Sequence, residues 1–187
     1  LGRGGTIQAA DGVFLQAGDE PDANAVRLED GARLTLARAL VDAGTGRGVV
    51  VEAGRADLSD VFVWGRGAKT GVIAATASAE VELERAEVRG FRTAAVLARR
   101  GARVRAQDLE LSFGRGTRSG ASHGLGAFSG RLDVRRARVR GPYREAVWVT
   151  GASASADVDV DVAGAVVEFY LEDSQIQVER ARVDDAE

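Results

Sequence analysis

Residues 99–144 hold 12 arginines against 3 acidic side chains, and residues 145–187 reverse that balance with 2 arginines and 11 acids. Arg99, Arg100, Arg103, Arg105, Arg131, Arg135, Arg138 and Arg140 form the densest part of the basic stretch. Guanidinium groups keep their charge and attract polyanions, so this band could bind an acidic polysaccharide or nucleic acid. Aromatic platforms for single strands are not interleaved with these arginines, which argues against nucleic acid. The plainer reading of the same residues is a solvated surface neutralised by its neighbours.

Three further groups could do chemistry. The stretch GRGTRSGASHG (114–124) brings Arg115, Arg118, Ser119, Ser122 and His123 together. His123 is the only histidine, so no histidine cluster for a metal is possible, and nothing in the spacing sets an orienting acid beside a Ser–His pair. Asp157, Asp159 and Asp161 alternate with valine, which on a strand puts them on one side at ~6.7 Å spacing. Ca²⁺ needs several oxygens converging at ~2.4 Å, so this row would need help from an adjacent segment such as Glu179. Among the rings Phe62, Trp64, Tyr143, Trp148, Phe169 and Tyr170, the unit pattern described below turns Phe62 and Trp64 outward. There Trp64 could stack on a sugar or pack against a loop or neighbouring domain.

The elements that must position these residues repeat. LTLARALVDAG (34–44), ADLSDVFVWG (56–65), VELERAEVRG (81–90), VRAQDLELSFG (104–114), LDVRRARVRG (132–141) and IQVERARVDD (176–185) overlay, with starts separated by roughly 22 to 28 residues and by two such periods between the last two. Apolar residues alternate in steps of two, as in Val81, Leu83, Ala86 and Val88, except for one step of three. A straight strand would turn its apolar side to water at that slip, so a corner must absorb it. GVVVEAG (48–54), GVIAATA (71–77), AVLARRG (95–101), GLGAFSG (124–130) and AVWVTG (146–151) supply a third short strand per unit. The expectation is an all-β fold, a right-handed parallel β-helix of about seven coils, in a single domain over 1–187. No stretch keeps a helical i, i+3, i+4 pattern for three turns. The stretch 114–124 is an insertion of roughly five residues relative to the period, and such insertions often form binding loops.

In such a stack equal positions lie ~4.8 Å apart. The position after the first strand then reads Arg38, Asp60, Arg85, Asp108 and Arg136, alternating in sign over five coils. ASADVDVDVAG (154–164) fits two phases and breaks this column.

The repeated φ-x-φ-x-x-φ-x-φ-x-G units and the GVxV segments resemble right-handed parallel β-helix repeat proteins, the pectate-lyase-like superfamily. The resemblance covers about Gly12 to Asp184. The asparagine ladders of many members are missing, since Asn24 is the only asparagine. The family includes polysaccharide lyases, glycoside hydrolases, tailspikes and adhesins. Its lyases hold Ca²⁺ with carboxylates and abstract a proton with a basic residue. By resemblance that would cast Asp157, Asp159 and Asp161 as the cation site, with Arg138 or Arg140 opposite.

Composition bounds the rest. There is no cysteine, so neither disulfides nor thiolate metal sites exist. No apolar run is long enough for a membrane-spanning helix. The chain starts at Leu1, which fits a mature portion or fragment of a longer protein. The reading reached is a non-enzymatic scaffold, extracellular or on a bacterial cell surface, binding a polysaccharide or other anionic polymer without a cofactor. The binding candidates are Arg103, Arg105, Arg115, Arg118, His123, Arg135, Arg138, Arg140 and Trp64. The alternatives are a lyase or hydrolase, with Ca²⁺ only in that case, and a shaft or adhesin segment that associates end to end.

Overall fold

The computed structural model describes residues 2–18, 20, 22–112, 123–165 and 167–184. Among them are 19 strands, numbered in chain order, and no helix. They wind into a parallel β-solenoid of about seven turns. Each turn has three sides.

Face A carries β2 (Thr6–Ala10), β5 (Ala32–Ala37), β8 (Gly54–Ser59), β10 (Ala79–Glu84) and β12 (Arg103–Gln107). It continues with the first halves of β15 (Arg131–Arg140), β17 (Ser155–Ala163) and β19 (Gln175–Asp184). Face B carries β3 (Phe14–Gln16), β6 (Leu40–Asp42), the starts of β9 (Phe62–Ala74) and β11 (Glu87–Arg99), β13 (Glu110–Ser112), and the second halves of β15, β17 and β19. Face C carries β1 (Gly2–Arg3), β4 (Asn24–Glu29), β7 (Arg47–Val51), the ends of β9 and β11, β14 (His123–Phe128), β16 (Glu145–Thr150) and β18 (Val167–Glu172). Every strand pairs in parallel with its counterpart one turn away.

The core is a set of ladders running along the axis. On face A, Leu34, Ala56, Val81, Val104, Leu132 and Ala156 stack in register, each at most 3% exposed. A narrow interior needs small branched residues, which is why valine, leucine and alanine suffice with few rings. Two rings are fully buried in it, Phe91 and Tyr143, both at the corner between faces B and C. That corner has no spare room. A Cβ on Gly71 would lie 2.4 Å from Val88 Cγ1 and 2.5 Å from the Ala95 carbonyl oxygen.

The step of three is the corner between faces A and B. Asp11, Arg38, Asp60, Arg85, Asp108 and Arg136 all sit there with φ between 50° and 60°, a left-handed backbone that side chains other than glycine seldom adopt. The turn is made without breaking the ladder. The amide of Arg38 donates to Ser59 O at 3.0 Å, that of Asp60 to Glu84 O at 2.9 Å, and that of Arg85 to Gln107 O at 2.9 Å. Cooperation with adjacent turns holds six strained residues in one column.

The ambiguous segment 154–164 resolves here, and the expectation that it breaks the charge column is corrected. β17 has no slip. Ala156, Val158, Val160 and Val162 all point inward in steps of two. One residue fewer makes the corner, so Asp159 alone stands opposite the Arg135–Arg136 pair. The next turn restores the extra residue, and Asp159 aligns with Arg180. The column therefore reads Asp11, Arg38, Asp60, Arg85, Asp108, Arg136, Asp159, Arg180, alternating over eight successive positions.

Candidate functional site

The basic band divides among the three faces. Arg103, Arg105 and Arg135 lie on face A, Arg138, Arg140 and Trp64 on face B, and His123 on face C. Arg115 and Arg118, with Ser119 and Ser122, lie outside the described residues. Face A neutralises its own arginines. Arg105 lies 3.1 Å from Glu80 and 2.9 Å from Glu82. Arg135 lies 3.0 Å from Asp157 and 3.6 Å from Asp133, and also contacts Glu179. Arg103 approaches Asp133 at 3.7 Å, and on face B Arg140 approaches Asp161 at 3.9 Å. These charges face carboxylates of adjacent turns, so their field at a distance is small. Trp64 shares a ladder with Arg140 but stands three turns from it, and its ring faces Arg66 at 5.6 Å.

The aspartate row is occupied in the same way. Asp157 pairs with Arg135, Asp159 with Arg180 at 3.0 Å, and Asp161 with Arg140. Asp159 and Asp161 line a groove of about 440 Å³ floored by Leu109, Ala137 and Val160. Its walls interleave acids with arginines: Asp108, Arg136, Asp159 and Arg180 on one side, Glu110, Arg138, Asp161 and Arg182 on the other. Among the described residues no three acidic or histidine side chains converge as metal ligands. A guanidinium between carboxylates already supplies the positive charge, so these residues do not fit a Ca²⁺ centre.

Face C is different, and its outer side is the candidate site. Three columns point outward there. The middle one reads Arg27, Val50, Ile73, Leu97, Gly126, Trp148 and Tyr170, where a solvent-facing row would ordinarily be polar. Val50, Ile73, Ala94 and Leu97 form an apolar cluster separate from the core. Beyond it come rings on successive turns, Phe128 on β14, Trp148 on β16 and Tyr170 on β18. Trp148 meets Phe128 edge-on at 4.0 Å between centroids and Tyr170 at 6.5 Å. Gly126 keeps this ground low, since a Cβ there would come within 2.8 Å of Leu97 Cδ1.

Register sets His123 beside Glu145. Their nearest atoms lie 2.6 Å apart, and both side chains are largely buried. The imidazole stacks on Trp148 at 3.9 Å and 34°. Burial pushes the His123 pKa below 6.5, Glu145 opposes that shift, and Arg144, itself 3.1 Å from Glu145, adds to it. Burial thus favours the uncharged ring. At the other end of the same face, Arg27, Arg47, Arg99 and Arg100 surround a groove of about 280 Å³. Arg27 and Arg47 pair with Glu29 at 2.8 Å and Asp22 at 3.2 Å. Arg99 and Arg100 are exposed and form no ion pair with a described residue. Arg99 is in register with Phe128, so the basic groove and the rings are continuous.

No family model, curated protein or solved structure matches this chain.

Proposed function

We propose that the protein is a non-enzymatic solenoid scaffold and that the outer side of face C binds an acidic polysaccharide. The observation that carries this reading is the run of Phe128, Trp148 and Tyr170 on three successive turns, joined to Arg99 and Arg100. Apolar sides of sugar rings pack on aromatic faces, and a long polymer suits a long open face better than an enclosed pocket. Guanidinium groups with no carboxylate of their own are available to the polymer's acid groups. That ligand class places the role at a cell surface or outside the cell. The test is binding to pectin, alginate and heparin, with a neutral glucan as control, by affinity electrophoresis and calorimetry. Retention on the acidic polymers, weakened at least ~10-fold by Trp148→Ala or by joint replacement of Arg99 and Arg100 with alanine, supports the reading. Retention unaffected by these changes, or none at all, sinks it.

A second reading, a polysaccharide lyase, is favoured by one observation: a largely buried imidazole, 2.6 Å from Glu145, stands on the same face as the rings. A neutral histidine can accept a proton from a sugar carbon next to a carboxylate. Ultraviolet absorbance of unsaturated products, abolished by His123→Gln, would favour it over pure binding.

A further inference from the structure

Along the corner column arginine and aspartate alternate without a gap. One outward column of face B breaks that habit. It reads Asp42, Trp64, Arg89, Ser112, Arg140 and Ala163 on successive turns, with no acid between the two arginines. Arg89 is exposed and forms no ion pair with a described residue. Arg140 is exposed and reaches Asp161 with one nitrogen at 3.9 Å, beyond hydrogen-bond length. Glu87 and Glu110, in the neighbouring column of the same face, form no ion pair with either arginine. Between the arginines sits Ser112, whose Oγ is buried and has no hydrogen-bond partner. With rungs ~4.8 Å apart, a short serine between two long side chains leaves a notch walled by guanidinium groups and floored by a hydroxyl. On the far side of Arg89 comes Trp64, half-buried, with the Arg66 guanidinium 5.6 Å from its ring centroid. Every one of the turns from Trp64 to Arg140 has a further turn on each side.

We infer that this notch is a second binding site, separate from face C, for a tetrahedral oxyanion: a sulfate or phosphate monoester carried on a sugar ring. A carboxylate has two oxygens, and a single guanidinium fork satisfies both. A sulfate or phosphate ester presents three free oxygens, enough for both forks and the serine hydroxyl. The Ser112 hydroxyl has a proton to give, and an ester oxygen accepts it. Trp64, next in the column, gives the sugar ring an apolar platform. The two esters share this geometry and differ in charge. A phosphate monoester takes its second negative charge near pH 6, at a pKa of about 6, whereas a sulfate monoester keeps one charge throughout. The inference does not depend on face C binding anything.

The chain has two tryptophans, Trp64 and Trp148. In Trp148→Phe, tryptophan emission therefore reports on face B alone. The probes are a monosaccharide sulfate ester, the matching phosphate ester and the matching uronic acid, titrated at constant ionic strength. Trp64 emission should change with an ester and not with the uronic acid, and calorimetry on the unaltered protein should give the same order. Joint replacement of Arg89 and Arg140 with glutamine should weaken ester binding at least ~10-fold. Both side chains are exposed, and a thermal melt of that variant checks its fold. Ser112→Ala should weaken binding by about 3–10-fold without lowering Tm, because its hydroxyl makes no hydrogen bond within the protein. A merely structural serine would leave affinity unchanged. Phosphate-ester binding should tighten as pH rises through about 6 and sulfate-ester binding should not, and the tighter of the two at neutral pH identifies the group. Ester binding that survives loss of both arginines, an equal response to the uronic acid, or no response to either ester overturns the proposal.

Discussion

Arg85 reaches back across one turn and grips Asp60 with both arms: Nε donates to Oδ1 at 2.7 Å and Nη2 to Oδ2 at 2.9 Å. Arg136 repeats this on Asp108 at 2.6 and 2.8 Å, and Arg180 on Asp159 at 3.0 and 3.3 Å. Arg38 contacts Asp11 through Nε. Each arginine binds the aspartate of the turn before it and only faces the one after. The corner column is therefore a series of clasps, each joining two turns, and all but the Arg180–Asp159 clasp sit at strained backbone positions.

Removing either half of a clasp should weaken the stack modestly. Asp60→Asn and Arg85→Gln are each expected to lower Tm by about 1–4 °C, less in high salt. Their double variant should lose no more than the worse single change. Strictly additive losses in thermal melts would show that the pair is not coupled.

Acid should open the clasps. Hydrogen bonds from Arg38, Lys69, Arg85 and Arg136 hold Asp11, Asp22, Asp60 and Asp108 below the ordinary 3.8. A depressed carboxylate contributes stability above its unfolded pKa, and that contribution disappears as pH falls through the lower folded value. Denaturant midpoints should therefore drop steeply below about pH 4, and Asp60→Asn should flatten that drop.

His123 acts in a separate, higher window. Its folded pKa lies below 6.5 because burial disfavours the imidazolium. Between that lower value and 6.5 the unfolded chain binds the extra proton, so stability rises with pH there and falls on acidification from neutrality. His123→Gln should remove this slope and leave the steeper loss below pH 4 intact. An unchanged slope from pH 7 to 5 would contradict the buried, neutral assignment.

The B–C corner should be the least forgiving part of the core. Phe91→Ala is expected to cost about 3–5 kcal/mol, because the cavity is walled by neighbouring turns. Gly71→Ala should also destabilise, since its new carbon meets both the stiff Val88 side chain and the Ala95 carbonyl. Urea titration checks both, and a loss below about 1 kcal/mol for Phe91→Ala would show that the corner can collapse.

The winding was legible because the apolar residues state it twice, once in their period of two and once in the slip of three. Apolar matching alone aligns Arg38, Asp60 and Arg85, independently of their charge. The 154–164 segment was not legible for the same reason: without the slip, valines in strict alternation fit either phase. Arginine density along the chain does not report local charge. Order along the chain is order along the axis, but partners lie one turn away, so Arg135 meets Asp157 and Arg140 meets Asp161 across what reads as a boundary between basic and acidic stretches. The pairing of His123 with Glu145 was available in principle, since laying GLGAFSG over AVWVTG aligns them. What hid it was that residues just before the apolar run belong to the corner, where the outward side is not set by simple alternation.

Because nearly every contact joins a turn to the turn before or the turn after, the molecule has no keystone. Shortening it from either end would strip away one storey at a time and leave the remaining storeys standing, whereas a break in the middle would yield two half-towers, each with a raw new end.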